Sequence, residues 1–250
     1  GRALVVAAAS LTVLVWEPMT PAGSGRTELH MIDVGRGDAI GLRTASGHWV
    51  LVDGGSRWRT GDAGRSTVVP YLARRGGSLS AFVLTSAGTD QAGGAASILR
   101  LLRPRYFYDA AGVRGGDAYR AALMVARTKG VIWHRPEPGD SLVVDEATIT
   151  FLGPDSAWMS ARGRASAGGL IVRVRVGDMR MLLVSEGDRQ AMRWLLDHHP
   201  EMLAADVLKI GNQGVEADTP PGLLAAVSPR VALLSVAPGD RYGRPGPALM

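Results

Sequence analysis

Residues 83–94 read VLTSAGTDQAGG, and this stretch indicates the fold more clearly than any other part of the chain. An apolar run enters Thr85, a short polar loop follows, and Gly93-Gly94 lead into the helix-forming residues 95–102. The order predicts a strand, a loop and a helix. The loop carries one side chain that binds metals strongly, the carboxylate of Asp90.

Short strand-like runs alternate with helical runs on both sides of this stretch. Strands are predicted over residues 29–34, 39–44, 49–52, 80–84, 106–108, 131–134, 141–144, 148–152, 170–176, 181–184, 207–210 and 231–236. Helices are predicted over residues 66–74, 95–102, 118–127, 188–198 and 219–227. Two sheets with helices outside them, four layers in all, accommodate this order best.

The hairpin over residues 170–184 has the clearest two-residue period. Val172, Val174 and Val176 alternate with Arg173 and Arg175, and Gly177-Asp178 form the predicted turn. Successive side chains of a strand point to opposite faces, so the valines are expected in the core and the arginines in solvent.

Composition describes a globular protein, with 46% hydrophobic and 20% charged residues among 250. Cysteine is absent, which excludes disulfides, thiolate metal sites and a cysteine nucleophile. The net charge of +5 comes mainly from arginine, because lysine occurs only at Lys129 and Lys209. Such a surface suits phosphate contacts, although aromatic residues, at 6%, are sparse for base stacking.

The N-terminus differs from the rest of the chain. Residues 3–16 are almost uninterruptedly apolar, and a Pro/Gly/Ser linker follows to Gly25. The run is shorter than the ~20 residues that cross a bilayer. We expect residues 1–25 to be the end of a transmembrane helix plus a linker, and residues 26–250 to form the globular domain. A buried core helix is the alternative.

Five further segments carry a resemblance to one family. They are residues 29–39 (LHMIDVGRGDA), 50–55 (VLVDGG), 69–76 (VPYLARRG), 205–211 (ADVLKIG) and 241–245 (RYGRP). Together they resemble the C-terminal domain of the ComEC family of DNA-internalization competence proteins, over about residues 28–250. The resemblance implies a metallo-β-lactamase-like αββα sandwich, with a membrane channel domain preceding residue 1.

The same resemblance implies a two-metal site and shows where this chain departs from it. In the superfamily the loop of residues 85–94 reads T-H-x-H/D-x-D-H-x-G-G, and its side chains hold Zn²⁺ or Mn²⁺. Ser86, Gly88 and Gln91 stand at three ligand positions here, and Asp90 is retained. The chain therefore departs from the family at its ligands and keeps the surrounding scaffold.

The later ligand positions show the same pattern. Asp188 stands at the bridging-ligand position, after Gly187. Asn212 and Gln213 replace the histidines of the family's GHHG, and Arg244 and Gly246 replace those of GHPHP. No tight metal site and no small-molecule substrate are expected, although Asp90 and Asp188 are the candidate ligands if a site is retained.

Local structure is the alternative explanation for the remaining polar residues. Asp53 and Asp38 fit either a catalytic role or turn formation. Asp90 and Asp188 each fit a helix cap. The five histidines fit structural roles, and Ser86 lacks a histidine base nearby. Residues 35–37 and 54–55 fit either tight turns or a phosphate cradle built from backbone N–H groups.

Three functions remain open. The first is a catalytically degenerate domain outside the cytoplasmic membrane that contacts or guides incoming DNA, with Arg36 and Arg244 beside the old site. The second is an active nuclease with a reduced site of Asp90 and Asp188, aided by Asp53, Gln91 or Asn212; oxygen ligands would favour Mg²⁺ or Mn²⁺. The third is a structural cap of the channel.

Overall fold

A computed structural model describes residues 23–109, 116–153, 169–184, 189–215, 219–236 and 243–247. The first eight strands are β1 (Glu28–Met31), β2 (Ile40–Arg43), β3 (Trp49–Val52), β4 (Arg57–Trp58), β5 (Gly61–Asp62), β6 (Leu79–Leu84), β7 (Tyr106–Asp109) and β8 (Ile132–His134). Six of them form one sheet in the order β1-β2-β3-β6-β7-β8, and β4 pairs with β5 as a separate hairpin.

The second sheet contains the other strands that the described ranges include. They are β9 (Ser141–Val144), β10 (Ala147–Gly153), β11 (Ile171–Val176), β12 (Met179–Val184), β13 (Val207–Lys209) and β14 (Val231–Leu233), in the order β14-β13-β12-β11-β10-β9. The predicted hairpin is confirmed, because β11 pairs antiparallel with β12. Val172 and Val174 are buried and Arg175 is exposed, as the two-residue period of the hairpin predicts. The prediction that both arginines lie in solvent is wrong for Arg173, which is half-buried like Val176 and has its Nε in the interior.

Helices cover the outer face of each sheet. They are α1 (Val69–Arg75), α2 (Thr89–Ala92), α3 (Ala95–Leu102), α4 (Asp117–Lys129), α5 (Arg189–His198) and α6 (Leu223–Val227). Gly130 shows how one of them ends: its φ of 67° is left-handed, and its N–H bonds to the carbonyl of Ala126. Within the described residues, no helix combines the length and the apolar character that a membrane span requires.

Three apolar clusters separate the layers. One lies between the first sheet and α1, α3 and α4, one lies between the two sheets, and one lies between the second sheet and α5 and α6. Strand β3 contributes to two of them, since Trp49 and Leu51 face the helices while Val50 and Val52 face the other sheet. The four-layer prediction is confirmed by this arrangement.

The predicted elements differ from the observed ones in several places. The strands predicted over residues 29–34 and 231–236 end at Met31 and Leu233. The helix predicted over residues 66–74 begins as a π-helical segment, Gly64–Val68, that leads into α1. The hairpin β4–β5 and the short helix α2 were not predicted. The helix predicted over residues 219–227 begins only at Leu223, because two prolines and Gly222, with φ 87°, precede it. Residues 1–22 and 154–168 lie outside the described ranges, so the membrane helix and the domain boundary at residue 25 stay predictions.

Candidate functional site

Strand β6 delivers the loop that resembles a metal-binding motif. Ser86 is buried at 8% exposure, and its Oγ accepts a hydrogen bond from the N–H of Gly88 at 3.1 Å. Gly88 precedes α2 as its N-cap, and no side chain caps that helix. The interpretation of Asp90 as a helix cap is therefore wrong, because Asp90 lies within the first turn of α2.

The carboxylate of Asp90 binds an arginine instead. Nε of Arg36 donates to Oδ2 of Asp90 at 2.9 Å; the Arg36 side chain is 65% exposed and the Asp90 side chain 15%. The two loops also meet through their backbones, since the N–H of Asp38 points to the carbonyl of Asp90 at 3.4 Å. A Cβ atom at Gly37 would lie 1.9 Å from that carbonyl oxygen, so only glycine fits there.

Asp53 directly follows β3, and its carboxylate binds Thr85 at the start of the loop of residues 85–94. Its φ is 62°, and its Oδ1 accepts the backbone N–H of Thr85 at 2.8 Å. The hydroxyl of Thr85 lies 2.6 Å from Oδ2. Burial raises the pKa of Asp53 to about 7, and the negative charge of Asp38 acts in the same direction. These side-chain contacts are all to Thr85, so they fit the role of Asp53 in forming the turn after β3.

Asp38 joins the first sheet to the second. Nζ of Lys209 on β13 lies 2.5 Å from Oδ2 of Asp38, and the two side chains are only 2% and 3% exposed. The carbonyl of Asp38 accepts the N–H of Gly55 at 2.8 Å. Asp38 and Lys209 therefore form a buried ion pair behind the loops of the candidate site.

Two glutamines stand where the family has histidines, and both are buried. Gln91 is 2% exposed and Gln213 is 6% exposed. Within the described residues, Oε1 of each glutamine has no hydrogen-bond partner. The backbone near Gln213 is tightly turned, with φ of 46° at Asn212 and 56° at Gln213. Buried polar atoms without partners are uncommon in folded proteins, so these two amide oxygens are candidate acceptors for a bound ligand.

The segment that contains Arg244 packs beside Gln213. The N–H of Gly246 donates to the carbonyl of Gly214 at 2.9 Å, and Arg244 is half-buried. Ser235, which follows β14, donates its hydroxyl hydrogen to the carbonyl of Gly37 at 2.8 Å. The second sheet thus reaches the turn that carries Arg36. Asp188, Arg241 and Tyr242 lie outside the described residues.

The backbone N–H groups of the glycine turns are already engaged. Gly54 donates to the carbonyl of Gln91 at 2.9 Å and Gly55 to that of Asp38 at 2.8 Å. Gly35 donates to Oδ1 of Asp33 at 2.9 Å. These three donors are not directed at a ligand, so the phosphate-cradle interpretation of these turns is wrong for them, and the tight-turn interpretation holds.

The described side chains do not match the ligand set of a two-zinc site. Across those parts of the chain, no three His, Cys, Asp or Glu side chains converge as metal ligands. Gly88 has no side chain, Ser86 bonds to its own loop, and Asp90 bonds to Arg36. Zinc in proteins prefers imidazole, thiolate and carboxylate ligands, and amide oxygens are poor substitutes.

The histidines have structural partners away from this site. His30 contacts Tyr71 and Glu28, and burial lowers its pKa, although Glu28 opposes the shift. Nδ1 of His48 lies 2.8 Å from Asp145. Nδ1 of His198 lies 2.8 Å from the carbonyl of Trp194, as expected for a histidine at a helix C-terminus.

Lys209 was missed as a site residue from the sequence alone. The signal was present, because Lys209 is one of only two lysines and follows two apolar residues in a strand-forming run. A charged side chain inside such a run requires a buried partner of opposite charge. That partner, Asp38, lies 171 residues earlier, and only the three-dimensional arrangement reveals it.

Sequence comparison finds two proteins to which the chain is similar. It is 24% identical over 258 aligned positions to ComE operon protein 3 of Bacillus subtilis, covering 98% of this chain and 33% of that protein. It is 28% identical over 208 positions to Recombination protein 2 of Haemophilus influenzae, covering 83% of this chain and 24% of that protein. The chain spans only about a third or a quarter of these relatives. No protein-family model matches it.

Structural comparison addresses the fold. The CmlA β-hydroxylase E377D mutant superposes with a TM-score of 0.54 at 12% identity, covering 84% of this chain and 46% of that one. The metallo-β-lactamase fold protein YhfI of Bacillus subtilis gives a TM-score of 0.45 at 14% identity, covering 72% and 68%. The four-layer arrangement of the two sheets is that of the metallo-β-lactamase-like fold, and in sequence the chain is similar to ComE operon protein 3 and Recombination protein 2 over most of its length.

Proposed function

We propose that this domain contacts DNA during uptake as a catalytically degenerate member of the ComEC-like group. The observation that carries the proposal is the ion pair between Arg36 and Asp90 at 2.9 Å. Asp90 is the carboxylate that the loop retains from the family's metal ligands, and a guanidinium group occupies one of its oxygens. A cation fixed at that position repels metal ions and attracts phosphate.

The position of Arg36 supports the DNA part of the proposal. Its side chain is 65% exposed, on a turn that Asp90 and Ser235 both contact. Arg244 belongs to the segment that packs against Gly214, next to Gln213. If both arginines line the former hydrolytic site, they make a surface that is complementary to a phosphate backbone.

The wider setting follows the resemblance. We propose that the domain lies on the extracytoplasmic side of the cell membrane, joined to a channel domain that precedes residue 1. The relatives named ComE operon protein 3 and Recombination protein 2 support the connection to competence. DNA is the proposed partner. The proposal concerns this domain alone, which corresponds to about a third or a quarter of those longer proteins.

A second candidate, a metal-dependent nuclease, is favoured by one observation. The buried Oε1 atoms of Gln91 and Gln213 have no hydrogen-bond partners among the described residues. Oxygen ligands of this kind, together with the carboxylates of the hypothetical reduced site, suit Mg²⁺ or Mn²⁺ better than zinc. A nuclease assay with each of these two ions tests the candidate directly.

The deciding experiment measures the affinity of the chain for DNA at several salt concentrations. Binding should be weak, independent of sequence and steeply reduced by salt. Arg36→Ala should lower the affinity, because a phosphate contact is lost. Asp90→Ala should raise it, because an acidic group beside Arg36 is removed. Arg244→Ala should act in the same direction as Arg36→Ala.

Arg230→Ala is the control, since Arg230 is exposed next to β14, at the edge of the second sheet. It removes the same charge and should change the affinity little. Absence of DNA binding at low salt, with all variants folded, would leave the structural cap as the better function. Strand cleavage that requires Mg²⁺ or Mn²⁺ and is lost with Asp90→Ala would establish the nuclease instead.

A further inference from the structure

The hairpin β4–β5 forms one wall of a cleft outside the site described above. The cleft has a volume of about 660 Å³ and lies between the hairpin, the π-helical segment Gly64–Val68 that follows it and α3. Trp58, Arg65, Arg100 and Leu101 are the lining residues that matter here, and we call this cleft the Trp58 cleft. The hairpin packs against the end of the loop of residues 85–94, which resembles a metal-binding motif. A Cβ atom at Gly93 in that loop would lie only 2.3 Å from the backbone nitrogen of Arg57 in β4.

Trp58 presents a flat aromatic face to this cleft. It is 47% exposed, although tryptophan is among the largest hydrophobic side chains. Gly61 pairs with Trp58 across the hairpin, and a Cβ atom at Gly61 would lie 3.1 Å from Cε2, Cζ2 and Nε1 of the indole. The indole therefore rests on the glycine backbone and turns its other side to solvent. Such an aromatic platform can stack a nucleic-acid base.

The lining of the cleft has a net positive charge, because it contains two arginines and one aspartate. Arg65 and Arg100 are both exposed, and within the described residues neither guanidinium group makes an ion pair. Asp62 is the acidic residue of the lining, and its carboxylate is used internally. Its Oδ1 accepts the backbone N–H of Arg65 and its Oδ2 accepts the hydroxyl of Ser97, each at 2.8 Å.

The bonds of Asp62 also make the cleft rigid. Through Ser97, they fix the hairpin to α3, which carries Arg100 and Leu101. The carbonyl of Ser56, just before the hairpin, accepts the N–H of Ala63 just after it at 2.9 Å. The backbone segments that carry Trp58, Arg65 and Arg100 are thus held in one frame, so a ligand that binds must order these side chains but not the segments themselves.

We infer that the Trp58 cleft binds single-stranded DNA, with one base stacked on the indole and neighbouring phosphates contacted by Arg65 and Arg100. Single-stranded DNA fits better than duplex DNA, because only unpaired bases offer a free face to an aromatic side chain. The inference rests on the proposed function and extends it from the Arg36 turn to a second surface. Both surfaces adjoin the same loop, so one strand can contact both.

The test compares variants of the full chain for binding of a fluorescent oligothymidylate and of a duplex of equal length. Trp58→Leu should weaken oligothymidylate binding roughly 5- to 150-fold, the range for loss of one stacked base. Trp58→Phe should restore part of the affinity. Trp133→Leu is the matched control, because Trp133 is 50% exposed on the edge strand β8 and should leave the affinity unchanged.

The salt dependence separates the stacking contact from the phosphate contacts. Arg65→Ala and Arg100→Ala should each lower the slope of log affinity against log salt by about 0.7, the value for one phosphate contact on a single strand. Trp58→Leu should lower the affinity and keep the slope. Duplex binding should respond less to Trp58→Leu than oligothymidylate binding does.

The outcomes distinguish this inference from the proposed function. If the chain binds DNA and loses affinity with Arg36→Ala, while Trp58→Leu, Arg65→Ala and Arg100→Ala bind like the wild type, the Trp58 cleft is refuted and DNA contact stands. If the chain binds no DNA, both fail. Binding to anionic phospholipid vesicles that depends on Trp58, without oligothymidylate binding, would make the cleft a membrane contact and overturn the inference.

Discussion

Nζ of Lys209 lies 2.5 Å from Oδ2 of Asp38, and both side chains are almost completely buried. Asp38 follows β1 of the first sheet and Lys209 is the last residue of β13 in the second, so the pair joins the two sheets. A buried charge without its partner carries a large desolvation penalty. Loss of either side chain should therefore weaken the packing of the first sheet against the second, which also depends on the apolar contacts between them.

Lys209→Met should destabilise the domain by about 3–5 kcal/mol, because it leaves Asp38 charged and unpaired in the interior. The double variant Lys209→Met with Asp38→Asn should recover part of the loss, since no net charge is then buried. Urea unfolding measures both. The exposed pair Asp117–Arg120 is the control, and Arg120→Ala should cost less than about 1 kcal/mol. Equal losses at the two sites would contradict the structural role of the buried pair.

The stability of the domain should depend on pH through Asp53. Its pKa is about 7 in the folded chain and near 3.8 when exposed, so the folded state holds a proton that the unfolded state releases between these values. This contribution is complete below pH 4 and falls by about 1.4 kcal/mol per pH unit until pH 7. Asp53→Asn removes this pH-dependent contribution and keeps a side-chain oxygen that can accept the hydrogen bond from Thr85. The stability of the variant relative to wild type should rise from pH 5 to 7 and then level off; parallel curves would show that Asp53 does not titrate.

Gly37→Ala should disrupt the site far more than Gly35→Ala. Both glycines have positive φ, 94° and 73°, so each substitution strains the backbone. A methyl group at Gly35 meets nothing within 4 Å, and its cost should be about 1 kcal/mol. At Gly37 the methyl group would lie 1.9 Å from the carbonyl oxygen of Asp90, so the two loops must separate. Thermal unfolding compares them, and similar melting temperatures would indicate that the loops are not packed as described.

The purified and dialysed chain should hold less than one tightly bound zinc ion, because Asp90 bonds to Arg36 and the neighbouring ligand positions are Ser86, Gly88 and Gln91. Asp90→Ala should leave the metal content unchanged. Elemental analysis tests this without any activity assay. About two equivalents of zinc, lost together in the Asp90→Ala variant, would show that an intact metal site remains.

Much of the fold could be predicted because its strands are apolar or alternate regularly. β3 and β6 are buried on both faces, and β11 alternates valine with arginine. The hairpin β4–β5 could not be predicted in this way, since two residues per strand show no periodicity. The same hairpin carries Trp58, so the exposure of this indole could not be predicted either.

The contacts of the candidate site were harder to predict than its residues. The sequence placed Arg36 beside the old site as a DNA contact, but it did not reveal that Arg36 forms an ion pair with Asp90, 54 residues later. Side-chain pairing between distant loops depends on how the loops are stacked, and local patterns contain no information on that. The roles of Asp188 and Arg244 stay predictions.

The separation of Asp38 and Lys209 also bears on the order in which the chain folds. The strands of the first sheet are all present by residue 134, and Lys209 follows only after most of the second sheet. A growing chain therefore contains Asp38 long before its countercharge is synthesised, and the first half must keep that carboxylate hydrated or protonated until then. Contacts this distant in sequence slow folding, so the N-terminal half should persist as a partly open intermediate that closes when β13 docks.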